Sequence, residues 1–160
     1  MKTLSYYRRD AAIDFDSEGT AFLNRNGFKL PPDYLAFLKI NGTGSGPSPG
    51  HWKGECYVDK FFPFSALEIE DEYTTDYAQQ DLIAMERITK NVLPIASAQG
   101  GHVIFCLVLD GPFYGYVISI DDDELILPQG YTEKDIELAP DRICGKTFAE
   151  FVDQFEPNEA

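Results

Sequence analysis

The sequence predicts an α+β fold in which a single domain holds an antiparallel sheet flanked by helices. Three observations predict it. The chain has 160 residues, of which 44% are hydrophobic and 14% aromatic, so it can bury one sizeable core without covalent staples. Helical spacing of apolar residues occurs near both ends of the chain. Between them, the apolar run 103–109 followed by a turn is typical of a buried strand in a hairpin. We therefore expect one domain that spans residues 1–160.

Two helices are predicted in the N-terminal part. Residues 17–26 form the first helix, which Gly27 ends. Residues 30–42 (LPPDYLAFLKING) form the second, because prolines suit a first helical turn, Asp33 favours the positive end of the helix dipole, and Gly42 supplies a left-handed stop. Its buried face is expected to consist of Leu30, Tyr34, Phe37, Leu38 and Asn41. Local physics explains every position of this segment as packed helix and none as a catalyst.

The middle of the chain is expected to run from a loop into a strand and then a helix. Glycine, serine and proline dominate residues 43–50, which predicts a loop. A strand is expected over residues 57–64, with Pro63 placing the end of that strand at an edge of the sheet. Ser65 and Glu68 form a capping box, so the next helix is predicted to begin there.

The second half predicts a hairpin and a closing helix. Residues 103–109 are apolar on both alternating faces, which indicates a central strand covered on both sides. Residues 110–112 make a turn, and residues 114–120 return as the antiparallel partner. A second capping box, Thr147 with Glu150, starts the C-terminal helix.

Five segments follow one another in an order typical of a known family. They are LPPDYLAFLKING (30–42), PFSALEIEDEY (63–73), LPIASAQGGHVIF (93–105), YGYVISID (114–121) and KTFAEFVDQF (146–155). In this order they resemble the SUKH superfamily, the Smi/Knr-type domains found widely among bacterial toxin-immunity proteins. The resemblance implies a SUKH-like domain over residues 30–155. Residues 1–15 are then an N-terminal extension, whose YYRRD stretch either adds a strand or lies on the surface.

The excess acidity lies entirely in the second part of the chain. The formal net charge is −14. Residues 1–60 carry eight Lys/Arg against seven Asp/Glu, whereas residues 61–160 carry five against twenty. A field of that sign repels nucleic-acid phosphates and attracts a basic partner, although it also aids solubility by itself. Direct binding of nucleic acid is therefore not expected.

Cysteine usage and the N-terminus indicate the compartment. Cys56, Cys106 and Cys144 are an odd set without a CxxC pair, and the opening MKTLSYYRRD lacks the apolar core of a signal peptide. The longest apolar run, 103–109, is far shorter than the roughly 20 residues that span a bilayer. These features predict a reduced, cytoplasmic protein without a membrane segment.

No motif predicts a cofactor, a metal or a catalytic residue. The glycine-rich stretch after residue 42 follows a helix and lacks the Gly-Lys-Ser/Thr of a phosphate-binding loop. If His102 and Cys106 share a strand, their Cα atoms are about 13 Å apart, too far to bind one ion. The acidic runs lack a nucleophile, base and orienting group at recognisable spacing. We therefore expect a protein that is not an enzyme.

Acidic and aromatic side chains are the candidate partner-binding residues. Carboxylates beside aromatic rings suit a basic target, because the acids steer association and the rings anchor it. Solvated surface explains any one of these residues alone, so the hypothesis concerns the set. The set is Trp52, Tyr57, Glu68, Glu70, Asp71, Glu72, Tyr73, Asp121, Asp122, Asp123 and Glu124.

The resemblance implies an immunity protein. Such a protein binds a cognate toxin domain, here a basic one such as a nuclease, and inhibits it by stoichiometric occlusion, without turnover. We expect a monomer or a weak homodimer. Two alternatives stay open: a regulatory scaffold domain that binds other proteins, and a small hydrolase that uses carboxylates with a divalent ion.

Overall fold

The structure is a computed structural model, and it describes residues 1–53, 55–63, 74–85, 87–121, 136 and 140–157. Within these residues the elements are, in chain order, β1 (Ser5–Arg9), α1 (Phe15–Asn26), α2 (Pro32–Asn41), β2 (Gly44–Ser48), β3 (His51–Trp52), β4 (Cys56–Phe61), α3 (Thr75–Ala84), β5 (Val92–Ala98), β6 (Val103–Val108), β7 (Val117–Asp121), β8 (Ile143–Gly145), α4 (Phe148–Asp153) and β9 (Phe155–Glu156).

One antiparallel sheet organises the fold. Its strand order is β1-β2-β4-β5-β6-β7-β8, and β3 pairs with both β4 and β9 beside this path. Every described pairing is antiparallel. The predicted α+β class, with an antiparallel sheet and flanking helices, is confirmed.

The sheet separates two hydrophobic clusters, and the central strand β6 contributes to both. Phe105 and Leu107 join the larger cluster, in which α1, α2 and α4 bury their aromatic and aliphatic side chains. Cys106 and Val108 join the smaller cluster on the opposite face, together with Leu82 of α3. Alternation along a strand sends successive side chains to opposite faces. The prediction of a strand covered on both sides is confirmed.

Helix α1 has the predicted end and an earlier start. Gly27 ends it in the left-handed conformation, with φ of 76°. The helix begins at Phe15 because Asp14 is the N-cap, whose Oδ1 accepts a hydrogen bond from the backbone N–H of Ser17 at 3.2 Å. A side-chain acceptor for an unpaired N–H is what a helix start needs.

Helix α2 is confirmed, and Asp33 connects its start to that of α4. Asp33 Oδ1 accepts from the backbone N–H of Tyr34 at 2.9 Å. Oδ2 of the same carboxylate accepts from the backbone N–H of Ala149 at 3.0 Å. One carboxylate thus compensates two helix N-termini, each of which carries unpaired N–H groups and partial positive charge.

Asn41 ties the first residues of the chain to α2. It is fully buried, as predicted for its face of the helix. Its Oδ1 accepts from the backbone N–H of Leu4 at 2.7 Å, and its Nδ2 donates to the carbonyl of Lys2 at 3.4 Å. Gly42, with φ of 70°, ends the helix directly after it. The Asn-Gly pair is therefore both a helix stop and an attachment point for the chain before β1.

The prediction of a loop over residues 43–50 is wrong, because β2 occupies most of that segment. β2 pairs with β1 on one side and β4 on the other. A Cβ on Gly44 would lie 2.5 Å from the carbonyl oxygen of Arg8, and a Cβ on Gly46 would lie 2.9 Å from Tyr7 Cβ. The glycines therefore reflect close approach of strands, not flexibility. The YYRRD stretch adds the strand β1, the first of its two alternatives.

The strand predicted over residues 57–64 is present but is not at an edge. β4 ends at Phe61 and pairs with β2 on one side and β5 on the other. Pro63 therefore follows an interior strand, and its missing N–H removes no hydrogen bond between strands. The capped helix predicted at Ser65 lies outside the described residues, and α3 was not predicted.

The hairpin and the closing helix are confirmed. β6 and β7 pair antiparallel in continuous register. β7 starts at Val117, later than predicted, because Tyr114 N–H donates back to the Gly111 carbonyl in a turn. At α4, Thr147 Oγ1 accepts from the N–H of Glu150 at 3.0 Å. The capping side chain predicted from sequence is therefore in place.

Candidate partner interface

The structure describes three of the predicted interface residues: Trp52, Tyr57 and Asp121. Asp121 is the half-buried last residue of β7, opposite Val103 of β6. The remaining candidates lie outside the described residues. They are Glu68, Glu70, Asp71, Glu72, Tyr73, Asp122, Asp123 and Glu124.

Trp52 lies in the core. Only 8% of its surface is exposed, and its ring packs against Phe105 and Phe151, with centroids 6.0 and 6.4 Å away. The Lys53 ammonium lies 4.9 Å from the ring centroid, in cation–π geometry. Trp52 therefore fixes the short strand β3 on the core rather than presenting a ring to solvent.

Tyr57 is exposed and belongs to a small aromatic patch with Tyr7 and His51. The ring of Tyr57 lies 5.3 Å from that of half-buried His51, edge to face. Its hydroxyl is 3.8 Å from the position that a Cβ on Gly46 would take, and Tyr7 Cβ is 2.9 Å from the same position. Tyr7 is 95% exposed and Tyr57 is 39% exposed. We call Tyr7, His51 and Tyr57 the aromatic patch.

Sequence reasoning missed two members of the aromatic patch, although a signal for Tyr7 existed. In a strand, two consecutive side chains point to opposite faces. Tyr6 takes the inner face, with its ring 6.5 Å from that of Phe61. Its neighbour Tyr7 must then point outward. Nothing in the sequence placed His51, because its position depends on the pairing of β3 with β4.

Asp59, the acidic residue nearest to Tyr57 along β4, is hydrogen-bonded within the fold. Asp59 Oδ2 accepts from the backbone N–H groups of Gly100 and Gly101, at 2.7 and 3.3 Å. Those glycines lie in the turn between β5 and β6. The carboxylate of Asp59 therefore holds this turn.

The three thiols are buried and protonated at neutral pH. Burial raises the pKa of Cys56 from its ordinary value of 9.0 to about 11 and that of Cys144 to about 12. Burial also raises the pKa of Cys106. A thiolate is the nucleophile and the metal ligand, so these cysteines are in an inert form. They are core side chains.

We expect the free energy of unfolding to fall as pH rises above about 9. Unfolded thiols ionise near that pH while the buried ones stay protonated. Cys56 and Cys144 therefore each lower the free energy of unfolding by on the order of 1 kcal/mol per pH unit, until the pH reaches their pKa in the folded state. Urea unfolding between about pH 8 and pH 11 measures the slope. The Cys56→Ala/Cys144→Ala variant should give a shallower slope, and equal slopes in the two proteins would contradict this assignment.

The described residues contain no group of three His, Cys, Asp or Glu side chains that could hold a metal ion. Cys106 is fully buried on β6, whereas His102 is exposed before that strand begins. Among the helices that are described, none has the length and apolar character needed to cross a membrane.

Comparison with known proteins gives a family match. The model of the SMI1/KNR4 family (SUKH-1) matches residues 16–154. That span includes nearly all of α1 and every later element through α4, and β1 lies before it. No curated protein matches the chain.

Proposed function

The chain belongs to the SMI1/KNR4 family (SUKH-1), and on that premise we propose that it is an immunity protein that binds a cognate bacterial toxin domain. Inhibition would come from stoichiometric occlusion of the toxin, with no turnover. One observation carries the proposal: the family match extends over residues 16–154, which is most of the chain. SUKH-type domains are found widely among bacterial toxin-immunity proteins, so membership of this family supports an immunity function.

The exposed side chains favour binding over chemistry. The cysteines are buried and protonated, whereas the rings of Tyr7 and Tyr57 are exposed. Tyrosine is enriched at protein interfaces because it combines a large apolar ring with a polar tip and few rotatable bonds. A rigid sheet that presents such rings suits a stoichiometric binder.

The charge distribution supports a basic partner. The net charge of residues 61–160 is −15, and a field of that sign raises the association rate of a positively charged protein. Toxins that act on nucleic acid carry positive surface, since they must approach phosphates. The acidic residues named from the sequence, Glu68 to Glu72 and Asp121 to Glu124, remain our proposed steering groups, and Tyr57 our proposed anchor.

Co-expression tests the proposal. Cells that produce the toxin-like domain encoded beside this gene should grow when the wild-type chain is present, and the two proteins should co-purify. Tyr57→Ala should weaken the complex by roughly tenfold, as expected for one anchoring tyrosine. Tyr114→Ala is the matched control, because Tyr114 is 38% exposed but lies in the β6–β7 loop.

Continued killing without a complex would reject immunity to that toxin. An equal effect of the two tyrosine variants would instead retain immunity and remove Tyr57 from the interface. The scaffold alternative predicts a different gene neighbourhood, without an adjacent toxin-like protein.

A further inference from the structure

The two edge strands of the sheet, β8 and β1, differ in how far their backbone groups are shielded from pairing with another chain. β8, at one end, is only three residues long, and the Cys144 carbonyl in it accepts a hydrogen bond from Gln154 Nε2 at 2.8 Å. β1, at the other end, pairs with β2 alone among the described strands. Four of its five residues are exposed, Tyr6 being the exception. Unprotected edges invite pairing with another chain.

The register of β1 shows which backbone groups face outward. β1 and β2 pair without a shift from Ser5 to Arg9, and the N–H of Asp10 continues the ladder by donating to the Thr43 carbonyl. In an antiparallel pair, alternate residues bond to the partner strand, and those between them point away. Ser5, Tyr7 and Arg9 therefore direct their N–H and C=O groups away from β2, where an added strand would lie.

A groove continues from the C-terminal end of β1. It has a volume of about 300 Å³, and residues 9–16 line one side while residues 38–40 and Gly42 line the other. Its acids have partners within the fold: Asp16 pairs with Lys39 at 2.7 Å, and Asp10 accepts from Thr43 Oγ1 at 2.8 Å. Ile40 is 60% exposed. The groove therefore offers an apolar contact to a chain that leaves β1.

The charge of this edge is opposite to that of the rest of the protein. Arg8 and Arg9 are exposed, and neither is in an ion pair among the described residues. The Arg9 guanidinium lies 5.6 Å from the Tyr6 ring centroid, in cation–π geometry. Because consecutive strand residues point to opposite faces, these two guanidinium groups suit two adjacent carboxylates of a neighbouring strand, one on each face.

We propose that β1 and the groove form a docking surface for an extended segment of a partner protein, with carboxylates opposite Arg8 and Arg9 and an apolar side chain in the groove. The segment would add to the sheet as a further strand. The surface lies largely before the family-matched span, which begins at residue 16. A second copy is a poorer occupant, since two copies would oppose four arginines and each chain carries a net charge of −14.

A peptide titration of the ¹⁵N-labelled full chain tests this surface without any toxin, so its result is independent of the immunity proposal. The probe is acetyl-LVEEVVL-amide, whose adjacent glutamates point to opposite faces of a strand as Arg8 and Arg9 do, and the matched control is acetyl-LVKKVVL-amide. We expect the glutamate peptide to shift amide signals of residues 5–16 and 38–42. Arg8→Glu/Arg9→Glu should weaken that binding by at least about tenfold and leave the fold intact, since both side chains are exposed.

A second pair of variants separates backbone from side chain. Tyr7→Pro removes the outward N–H, whereas Tyr7→Ala removes only the ring. Loss of peptide binding in Tyr7→Pro with binding retained in Tyr7→Ala supports strand addition, because proline at an outward position leaves the β2 ladder intact. The proposal is overturned by an absence of shifts, by equal binding of the two peptides, or by shifts confined to other surfaces.

Discussion

Replacing Phe151 with alanine should lower the free energy of unfolding by about 4 kcal/mol, the cost of removing a fully buried aromatic side chain. Phe151 has no exposed surface. Its ring centroid lies 4.9 Å from that of Phe105 and 5.2 Å from that of Phe155. The six-residue helix α4 is too short to be stable by itself, so its packing on β6 and β3 holds it. Urea unfolding measures the loss.

Phe151→Leu is the control for this prediction. It keeps most of the apolar volume and should cost about 1 to 2 kcal/mol. It also provides a measurement if the alanine variant does not fold. A loss below about 2 kcal/mol in Phe151→Ala would mean that the neighbouring rings collapse into the cavity, contrary to a tightly packed aromatic cluster.

Replacing Asn41 with alanine should lower the free energy of unfolding by about 2 to 3 kcal/mol. The change leaves the buried N–H of Leu4 without its acceptor, and a buried unpaired donor costs about 1 to 3 kcal/mol in addition to the lost packing. Because Leu4 directly precedes β1, amide hydrogen exchange of Leu4, Tyr6 and Arg8, whose N–H groups face Asn41 or β2, should accelerate more than that of β6. Urea unfolding and hydrogen exchange together measure the two effects.

Asn24→Ala is the matched control, because Asn24 is exposed on α1. It should change the free energy of unfolding by less than about 0.5 kcal/mol. Equal exchange rates for Leu4, Tyr6 and Arg8 in wild type and Asn41→Ala would show that Asn41 does not hold the chain before β1.

Local signals predicted the elements whose boundaries depend on neighbouring residues. Gly27, Gly42 and the Thr147–Glu150 capping pair act within one helical turn, and each ends or begins a helix as expected. The prediction of a loop where β2 lies failed for the opposite reason. Its glycines are needed because β1 passes close to them, and that approach is a tertiary fact that composition cannot show.

The candidate interface was less predictable than the fold. Sequence reasoning treated Trp52 and Tyr57 alike, yet one ring is in the core and the other is exposed. Their difference follows from the pairing of β3 and β4, which decides the face that each side chain takes. Tyr7 became a candidate only once β1 was known to be a strand. Exposure of an aromatic residue is a property of strand pairing, and residue type alone does not determine it.

Titration of toxin activity with this protein tests the central claim most directly. The claim is stoichiometric occlusion. With the concentrations of both proteins well above the dissociation constant, the activity of the purified toxin domain should fall linearly as the protein is added and reach zero at one equivalent. The protein should be recovered unchanged from the complex. Full activity at a large excess of the protein, or inhibition by far less than one equivalent, would contradict the account.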